Sequence, residues 1–210
     1  MYIPIYHQYY ADVYYIGSVN TNGMPHGIGI MCIGQNMIYK GEFQNYLFHG
    51  KGKLEYKHIE EEHIFEGEFE NGLPHGQIIE TIPRLGIREC RFTYGNANGF
   101  GITQYNQGKV HKGFIKNNMY NGFGVMYNSD GSVFYEGEWN NSKRNGKGIS
   151  YQNGIKYEGE WKDDMPNGRG MLTNSKGVTF DGFFDNGDIV ACFSSNSNSI
   201  IDDEDFDTSG

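Results

Sequence analysis

The sequence is poor in cysteine and proline and contains no long hydrophobic run, and each scarcity excludes a class of protein. Its three cysteines, Cys32, Cys90 and Cys192, lie far apart and form no CxxC pair, which indicates reduced thiols in an intracellular protein. No apolar segment reaches the length of a membrane span, and the N-terminal MYIPIYHQYY lacks the cationic and apolar parts of a secretory signal. We therefore expect a cytoplasmic protein.

Positive charge is also scarce. The chain contains 17 Lys and Arg residues and 26 Asp and Glu residues, so its net charge is −9. Five of those carboxylates lie in the last twenty residues, which leaves −4 on residues 1–190. Binding to phosphates requires a basic stripe, and attraction to anionic lipid requires a similar surface. The charge balance therefore excludes nucleic acid as an expected partner and disfavours membrane lipid.

Glycine and aromatic residues are abundant instead. Glycine supplies 31 of 210 residues, aromatic residues reach 15 %, and proline supplies only 5 residues. Collagen would need glycine at every third position together with much proline, and flexible glycine-rich linkers lack aromatic residues. Glycine and aromatic residues together predict many tight turns joined by strands that bury rings.

A short motif recurs along the chain. YEGEW occupies residues 135–139 and again 157–161, YKGEF occupies 39–43, and FEGEF occupies 65–69. Degenerate copies begin at residues 15, 88, 111 and 180, so eight copies follow one another at intervals of 22 to 26 residues. Such a period indicates a repeat architecture in which neighbouring copies bury each other's apolar faces.

Each full copy carries a second anchor, a Gly-x-Gly pair. Its first glycine is present in all seven full copies, whereas the third copy has Ile78 in place of the second glycine. Alternating aromatic and polar residues predict a strand, and after a polar turn such as residues 162–167 a second strand starts at the Gly-x-Gly. One copy thus predicts one β-hairpin. The residues expected to build it in the regular copies are Tyr39, Gly41, Phe43, Gly50, Gly52, Tyr135, Gly137, Trp139, Gly146, Gly148, Tyr157, Gly159, Trp161, Gly168 and Gly170.

The pattern Tyr-x-Gly-x-(Trp/Phe) followed by Gly-x-Gly resembles the MORN repeat (membrane occupation and recognition nexus) over residues 15–187. Residues 135–148 and 157–170 match closely, whereas Arg88, Cys90, His111 and Ile115 replace rings or a glycine and put local regularity in doubt. The resemblance implies an all-β fold, namely an elongated single-layer antiparallel sheet of stacked β-hairpin repeats. It also implies a role in holding proteins together or tethering them to membranes, often at cytoskeletal structures.

We divide the chain into three parts on this basis. Residues 1–14 are expected to cap the array, because open repeat arrays need covered ends. Residues 15–190 are expected to form the array, with copies starting near residues 15, 39, 65, 88, 111, 135 and 157 and a partial copy at 180. Residues 191–210 are polar and acidic and are expected to be a disordered tail, or alternatively a short docking segment around Phe206. This division leaves no room for a catalytic domain.

No motif points to catalysis, a cofactor or a metal. The Gly-x-Gly pairs are not followed by Gly-Lys-Ser/Thr and open no dinucleotide-binding helix. His26, His49 and His75 precede the first glycine, where later copies carry Asn, and both residue types tolerate unusual turn backbone. His58 and His63 flank three glutamates in what we interpret as a solvated loop. We expect no enzyme activity, cofactor or metal.

Three phenylalanines stand where the repeat calls for exposed residues. Phe100 and Phe123 lie between paired glycines, and Phe114 takes a position that is Glu in other copies. They indicate a partner site, unless the array is irregular near Cys90 and these rings fill the gaps.

We predict a non-catalytic interaction scaffold for an unidentified protein partner or a second copy. The alternative, peripheral binding of phosphoinositides, would need a basic patch, for which the candidates are Lys51, Lys53, Lys143, Arg144, Lys147 and Arg169.

Overall fold

A computed structural model describes residues 2–4, 12–58 and 61–195. These residues form seventeen β-strands and no helix, and within each of two compact units consecutive strands pair antiparallel. Within the described ranges there is accordingly no helix long and apolar enough to cross a membrane. The prediction of an all-β, single-layer antiparallel fold is confirmed.

The described residues divide into two compact units. The first comprises the chain up to Asn106 together with Lys116–Asn118, and the second comprises Gln107–Ile115 and the residues from Met119 onward. The strands of the first unit are β1 (Tyr2–Pro4), β2 (Val13–Val19), β3 (Pro25–Ile33), β4 (Met37–Gln44), β5 (Leu47–His58), β6 (Glu61–Glu70), β7 (Leu73–Ile82), β8 (Gly86–Thr93) and β9 (Asn96–Tyr105).

The second unit contains eight strands and both tryptophans of the chain, Trp139 and Trp161. Its strands are β10 (Val110–Lys116, of which Lys116 belongs to the first unit), β11 (Met119–Tyr127), β12 (Val133–Asn140), β13 (Lys143–Gln152), β14 (Ile155–Lys162), β15 (Met165–Thr173), β16 (Thr179–Asp185) and β17 (Asp188–Ser195).

Seven of the eight hairpins have a two-residue turn, shorter than the sequence predicts, whereas residues 20–24 separate β2 from β3. Asp163 and Asp164 form a two-residue turn with φ of 49° and 74°, and β15 resumes at Met165, three residues before the Gly-x-Gly. The expected second strand starting at Gly168 was therefore wrong. Two consecutive residues with positive φ characterise the type I′ turn, whose twist matches that of the flanking strands. The equivalent turns are Asn45 with Tyr46, Asn71 with Gly72, Tyr94 with Gly95, Asn117 with Asn118, Asn141 with Ser142, and Asn186 with Gly187.

These turns also link consecutive hairpins. The backbone N–H of Asp164 donates to the carbonyl of Arg144 at 3.0 Å, and that of Ser142 donates to the carbonyl of Tyr120 at 2.9 Å. In the first unit the N–H of Tyr46 donates to the carbonyl of Pro25 at 2.8 Å. Because each turn is completed by the preceding copy, a hairpin depends on its neighbour, as expected for a repeat array.

The first glycine of each Gly-x-Gly pair forms a β-bulge. Its φ is positive in all seven copies, for example 93° at Gly146 and 100° at Gly168. The strand register shifts at the same place, between Gly137 and Trp139 in one hairpin and between Gly159 and Trp161 in the next. Residues with a Cβ rarely adopt this conformation, which explains why the first glycine is present in every full copy.

The second glycine lies beneath a tyrosine ring. A Cβ at Gly148 would lie 2.3 Å from Oη of Tyr135, and one at Gly170 would lie 2.4 Å from Oη of Tyr157. Each ring is held by its hydroxyl, which donates to the carbonyl of the residue three positions later, at 2.9 Å in the case of Tyr135 and Glu138. The tyrosines and the neighbouring Trp or Phe rings then pack edge to face along one side of the sheet, which we call the ring face.

The outer parts of the chain differ from the expected boundaries. The eighth copy is a complete hairpin, and β17 continues to Ser195, so the first five residues of the expected disordered tail belong to a strand. At the other end, Tyr2–Pro4 pair with β2. The rest of the expected cap (residue 1 and residues 5–11) and of the expected tail (residues 196–210, with Phe206) lies outside the described residues.

Candidate functional site

The surface opposite the ring face carries most of the charged side chains and is called here the polar face. In the second unit a groove of about 530 Å³ runs over it. Strand register places Ile149 between Glu136 and Glu158, and Met171 between Glu158 and Asp181. Apolar and acidic side chains therefore alternate from strand to strand across the groove.

A second row of side chains borders this groove. Phe123 lies opposite Glu138, Lys147 lies opposite Glu160, and Arg169 lies opposite Phe183. Phe123 is 51 % exposed and Phe183 is 45 % exposed, although both are large apolar rings. The groove thus combines exposed apolar surface with an excess of carboxylates, a combination suited to binding.

The three phenylalanines singled out from the sequence all lie exposed. Phe100 in the first unit is 59 % exposed, and Phe114 and Phe123 in the second unit are each 51 % exposed. Of these, Phe123 lines the groove. A role for them in binding a partner stays a prediction.

Phe114 replaces a glutamate that has a structural task in the regular copies. Oε1 of Glu138 accepts a hydrogen bond from the backbone N–H of Lys147 at 3.0 Å, and Oε1 of Glu42 accepts one from Lys51 at 2.9 Å. Each bond satisfies the backbone N–H of the residue that follows the first glycine, at the bulge. The ring of Phe114 cannot accept such a bond, so its exposed position is not explained by hairpin geometry.

The sequence analysis missed Ile149 and Met171 as residues of the groove. Both directly follow the second glycine of their copies, and Val125 holds the same place in the copy before. An apolar residue at a constant offset in five successive copies, from Ile79 to Met171, was the available signal. We overlooked it because the position alone does not say which face of the strand is exposed.

The fourth copy is regular in spite of its unusual residues. Strands β8 and β9 pair in the same register as the other hairpins, with the bulge between Cys90 and Phe92. Cys90 takes the place of the middle glycine and is 2 % exposed, and burial raises the pKa of its thiol to about 11. The alternative of an irregular array near Cys90 is therefore wrong for this hairpin, so gap filling within it does not account for the exposed Phe100.

A buried ion pair replaces the ring contacts in this copy. Arg88 takes the tyrosine position and donates through Nε to Oε2 of Glu80 at 2.8 Å, with a second bond from Nη2 to the same oxygen. His63 Nε2 lies 2.8 Å from Oε1 of Glu80. Burial alone would raise the pKa of Glu80, but the hydrogen bond from His63 and the charge of Arg88 outweigh it and lower that pKa.

His111 takes the tyrosine position of the fifth copy and is completely buried. Its ring stacks on Tyr120 with centroids 3.5 Å apart, and Trp139 meets it edge on at 5.4 Å. Neither imidazole nitrogen has a hydrogen-bond partner among the described residues. Burial without a counter-charge lowers the pKa of His111 to about 4.

We expect His111 to make the second unit sensitive to acid. Because its pKa is lower in the folded protein than its ordinary 6.5, protons bind preferentially to the unfolded chain. The free energy of unfolding should be highest above pH 6.5 and fall by roughly 3 kcal/mol as the pH decreases to about 4. Urea titrations followed by tryptophan fluorescence would measure it. In His111→Phe the free energy of unfolding should change much less over this pH range. If it changes equally with pH in the two proteins, the assignment to His111 is contradicted.

The histidines that precede the first glycines lie within strands. The positive φ belongs to the following glycine, so our explanation that His and Asn tolerate unusual turn backbone was wrong. Where Asn stands there, its side chain can bond the next turn: Oδ1 of Asn98 accepts from the N–H of Asn117 at 3.0 Å.

The side chains described include no group of three His, Cys, Asp or Glu residues placed to hold a metal ion. The charged stretch of residues 58–61 has no described side chains.

The basic candidates for phosphoinositide binding are engaged by carboxylates. Lys53 pairs with Glu55 at 2.9 Å, and Arg169 pairs with Asp181 at 2.9 Å. Lys143 and Arg144 likewise pair with Asp163 and Asp164, and Lys51 and Lys147 lie opposite Glu68 and Glu160 in neighbouring strands. These pairings leave no continuous basic patch among the six candidates.

Comparison with known proteins agrees with the hairpin pattern. A family model described as MORN repeat matches residues 15–33, 39–57, 65–77, 111–133, 135–155 and 157–179, together more than half of the chain. The matched segments begin at six of the eight expected starts, and the hairpins that start at residues 88 and 180 are not matched. No curated protein matches the chain.

Proposed function

The chain belongs to the MORN-repeat family, whose repeats are generally non-catalytic modules that bind proteins or membranes, and we propose that it is a protein-interaction scaffold. The groove on the polar face of the second unit carries this proposal. It places Phe123, Ile149 and Met171 beside a row of carboxylates, on a face that the packing of the rings leaves free.

The composition of the groove defines the kind of partner. Apolar side chains that insert beside Phe123 and Met171 would be removed from water, which contributes about 25 cal/mol per Å² of buried apolar area. Basic side chains of the same segment would meet Glu136, Glu158 and Glu160, which together exceed the basic residues of the groove. The partner is therefore a protein segment in which apolar and basic residues alternate.

A membrane partner fits the same surface less well. Anionic headgroups are attracted by clusters of unpaired lysine and arginine. Here four of the six basic candidates form ion pairs with carboxylates, and the net charge of the chain is −9. The charge distribution supports a protein partner in preference to an anionic lipid.

The substitution Phe123→Ser tests the proposal. Loss of one central aromatic contact should weaken binding by about 2 kcal/mol, or roughly 30-fold, while folding is preserved because the ring is half exposed. The matched control is Ile28→Ser, at the same repeat position in the first unit and 67 % exposed. Parallel capture from cell extract, with quantitative mass spectrometry, should yield proteins retained by wild type and Ile28→Ser and lost by Phe123→Ser.

Liposome flotation separates the lipid alternative. Vesicles with and without phosphoinositide would be tested at two salt concentrations with the same three proteins. We expect no flotation. Salt-sensitive flotation that requires phosphoinositide would overturn the protein-scaffold proposal, as would equal capture by wild type and Phe123→Ser.

A further inference from the structure

A pocket of about 170 Å³ opens on the ring face of the second unit, on the other side of the sheet from the groove. Its apolar walls are formed by the rings of Tyr157 and Trp161 together with Ile155, Pro166 and Leu172. Protein interiors contain few voids larger than a water molecule, and an apolar cavity of about 150 Å³ accommodates benzene. The pocket therefore has room for one six-membered ring.

The space exists because of Ser150. Strand register places this serine between Tyr135 and Tyr157 of consecutive copies. The equivalent place between two rings is taken by Leu54 in the second copy and by Leu172 in the seventh. Serine lacks the branched end of leucine, so the volume that leucine fills in those copies becomes the pocket.

Ser150 also gives the pocket a polar group. The residue lines the pocket and is only 7 % exposed. Within the described ranges its hydroxyl forms no hydrogen bond with another residue. A buried hydroxyl without a partner destabilises a fold, so a ligand that supplies a hydrogen bond to Ser150 gains affinity from it.

The wall formed by Trp161 is held in place from two sides. The guanidinium of Arg144 lies over the indole, with Cζ 4.2 Å from the ring centroid, and its Nη2 donates to the carbonyl of Asp164 at 2.6 Å. The indole N–H donates to the carbonyl of Gly148 at 3.2 Å. The pocket is thus preformed, and a ligand does not have to order its walls.

We propose that this pocket binds a phenol ring, either a free phenol or the tyrosine side chain of a partner. The ring would pack against Tyr157, Trp161 and Leu172 in the edge or offset geometry that aromatic groups prefer, and its hydroxyl would bond that of Ser150. An aliphatic group would leave the serine hydroxyl unpaired, and a charged group would lose its hydration among apolar walls. The inference does not rest on the groove, because the two sites lie on opposite faces.

Titration of the whole chain with p-cresol, which is the tyrosine side chain as a free molecule, tests the inference. In ¹⁵N-labelled protein the two indole N–H signals come from Trp139 and Trp161. The signal of Trp161, which lines the pocket, should shift, whereas that of Trp139 should stay nearly unchanged. We expect a dissociation constant on the order of 1 mM. Toluene should bind about three- to tenfold more weakly because it lacks the hydroxyl.

Two substitutions of Ser150 separate the space from the hydroxyl. Ser150→Leu introduces the residue of other copies, so it should raise the melting temperature and abolish the shift of the Trp161 signal. Loss of binding in a more stable variant does not result from unfolding. Ser150→Ala keeps the space and should lower the affinity for p-cresol to about that for toluene.

A short peptide with one tyrosine between glycines distinguishes the two sources of the ring. If it binds at least as tightly as p-cresol, the pocket takes the tyrosine of a partner, whereas binding of p-cresol alone assigns the pocket to a free phenol. An unchanged Trp161 signal at about 10 mM p-cresol, tenfold above the expected dissociation constant, overturns the inference. A shift that persists in Ser150→Leu overturns it too, as does equal affinity of wild type for p-cresol and toluene.

Discussion

Replacing Gly148 by alanine should destabilise the second unit by about 3 kcal/mol, a large fraction of the stability of an ordinary domain. The added Cβ would lie 2.3 Å from Oη of Tyr135 and 2.5 Å from its Cζ. That ring has no exposed surface and is enclosed by Trp139 and Trp161, at centroid distances of 5.1 and 5.4 Å. It can move away only by breaking its hydroxyl bond and displacing both indoles. Urea unfolding followed by tryptophan fluorescence measures the loss directly.

Gly131 provides the matched control. Its φ is 84°, yet a Cβ there would have no atom within 4 Å. Gly131→Ala should therefore cost only about 1 kcal/mol, the penalty for a left-handed backbone. Since Gly148 itself has no left-handed φ, equal losses for the two variants would show that the ring above Gly148 does not account for the glycine at that position.

The period and the alternation of residues were sufficient to predict the hairpins. Glycine and ring positions recur at a constant offset in each copy, and strand pairing requires that spacing, so the starts at residues 135 and 157 coincide with β12 and β14 to within two residues. The seven invariant first glycines indicated a backbone constraint, which the positive φ values identify as a bulge.

The position of the turn could not be read in the same way. The Gly-x-Gly looks like the end of a turn because glycine is the usual turn residue. In the structure Asp163 and Asp164 supply the positive φ values of the turn, and Gly168 is used for the bulge four residues later. Asp and Asn tolerate the left-handed conformation, so sequence alone does not distinguish the two uses.

The functional surface was predicted only in part. Phe123 was identified because it breaks the pattern, whereas Ile149 and Met171 follow the pattern and were missed. The pairing of Arg88 with Glu80 was missed for a different reason. The two residues lie on neighbouring strands, and their contact becomes apparent only when the register places them opposite one another.

The buried pair in the fourth copy leads to the second large effect. Glu80→Leu would leave the guanidinium of Arg88 buried with no carboxylate, and Arg88→Tyr would leave the carboxylate of Glu80 with His63 alone. Removing one partner of a buried ion pair typically costs about 3–5 kcal/mol. We expect each single variant to lose that much, measured by circular dichroism during denaturation, since both tryptophans lie in the second unit.

The double variant Glu80→Leu with Arg88→Tyr should recover most of the loss. It recreates the contact between consecutive copies that regular repeats have, where Leu54 lies opposite Phe65 and Leu172 lies opposite Phe180. Because Cys90 stands where the regular copies have a glycine beneath the ring, the cycle is measured with Cys90→Gly in every protein, its wild type included, so that the new ring has room. In this double-mutant cycle, the free energy of unfolding of the double variant is compared with that of wild type. A difference within about 1 kcal/mol would show that the ion pair replaces a ring contact at equal stability. If the two losses simply add, the ion pair makes no coupled contribution, and the fourth copy depends on each side chain for a separate reason.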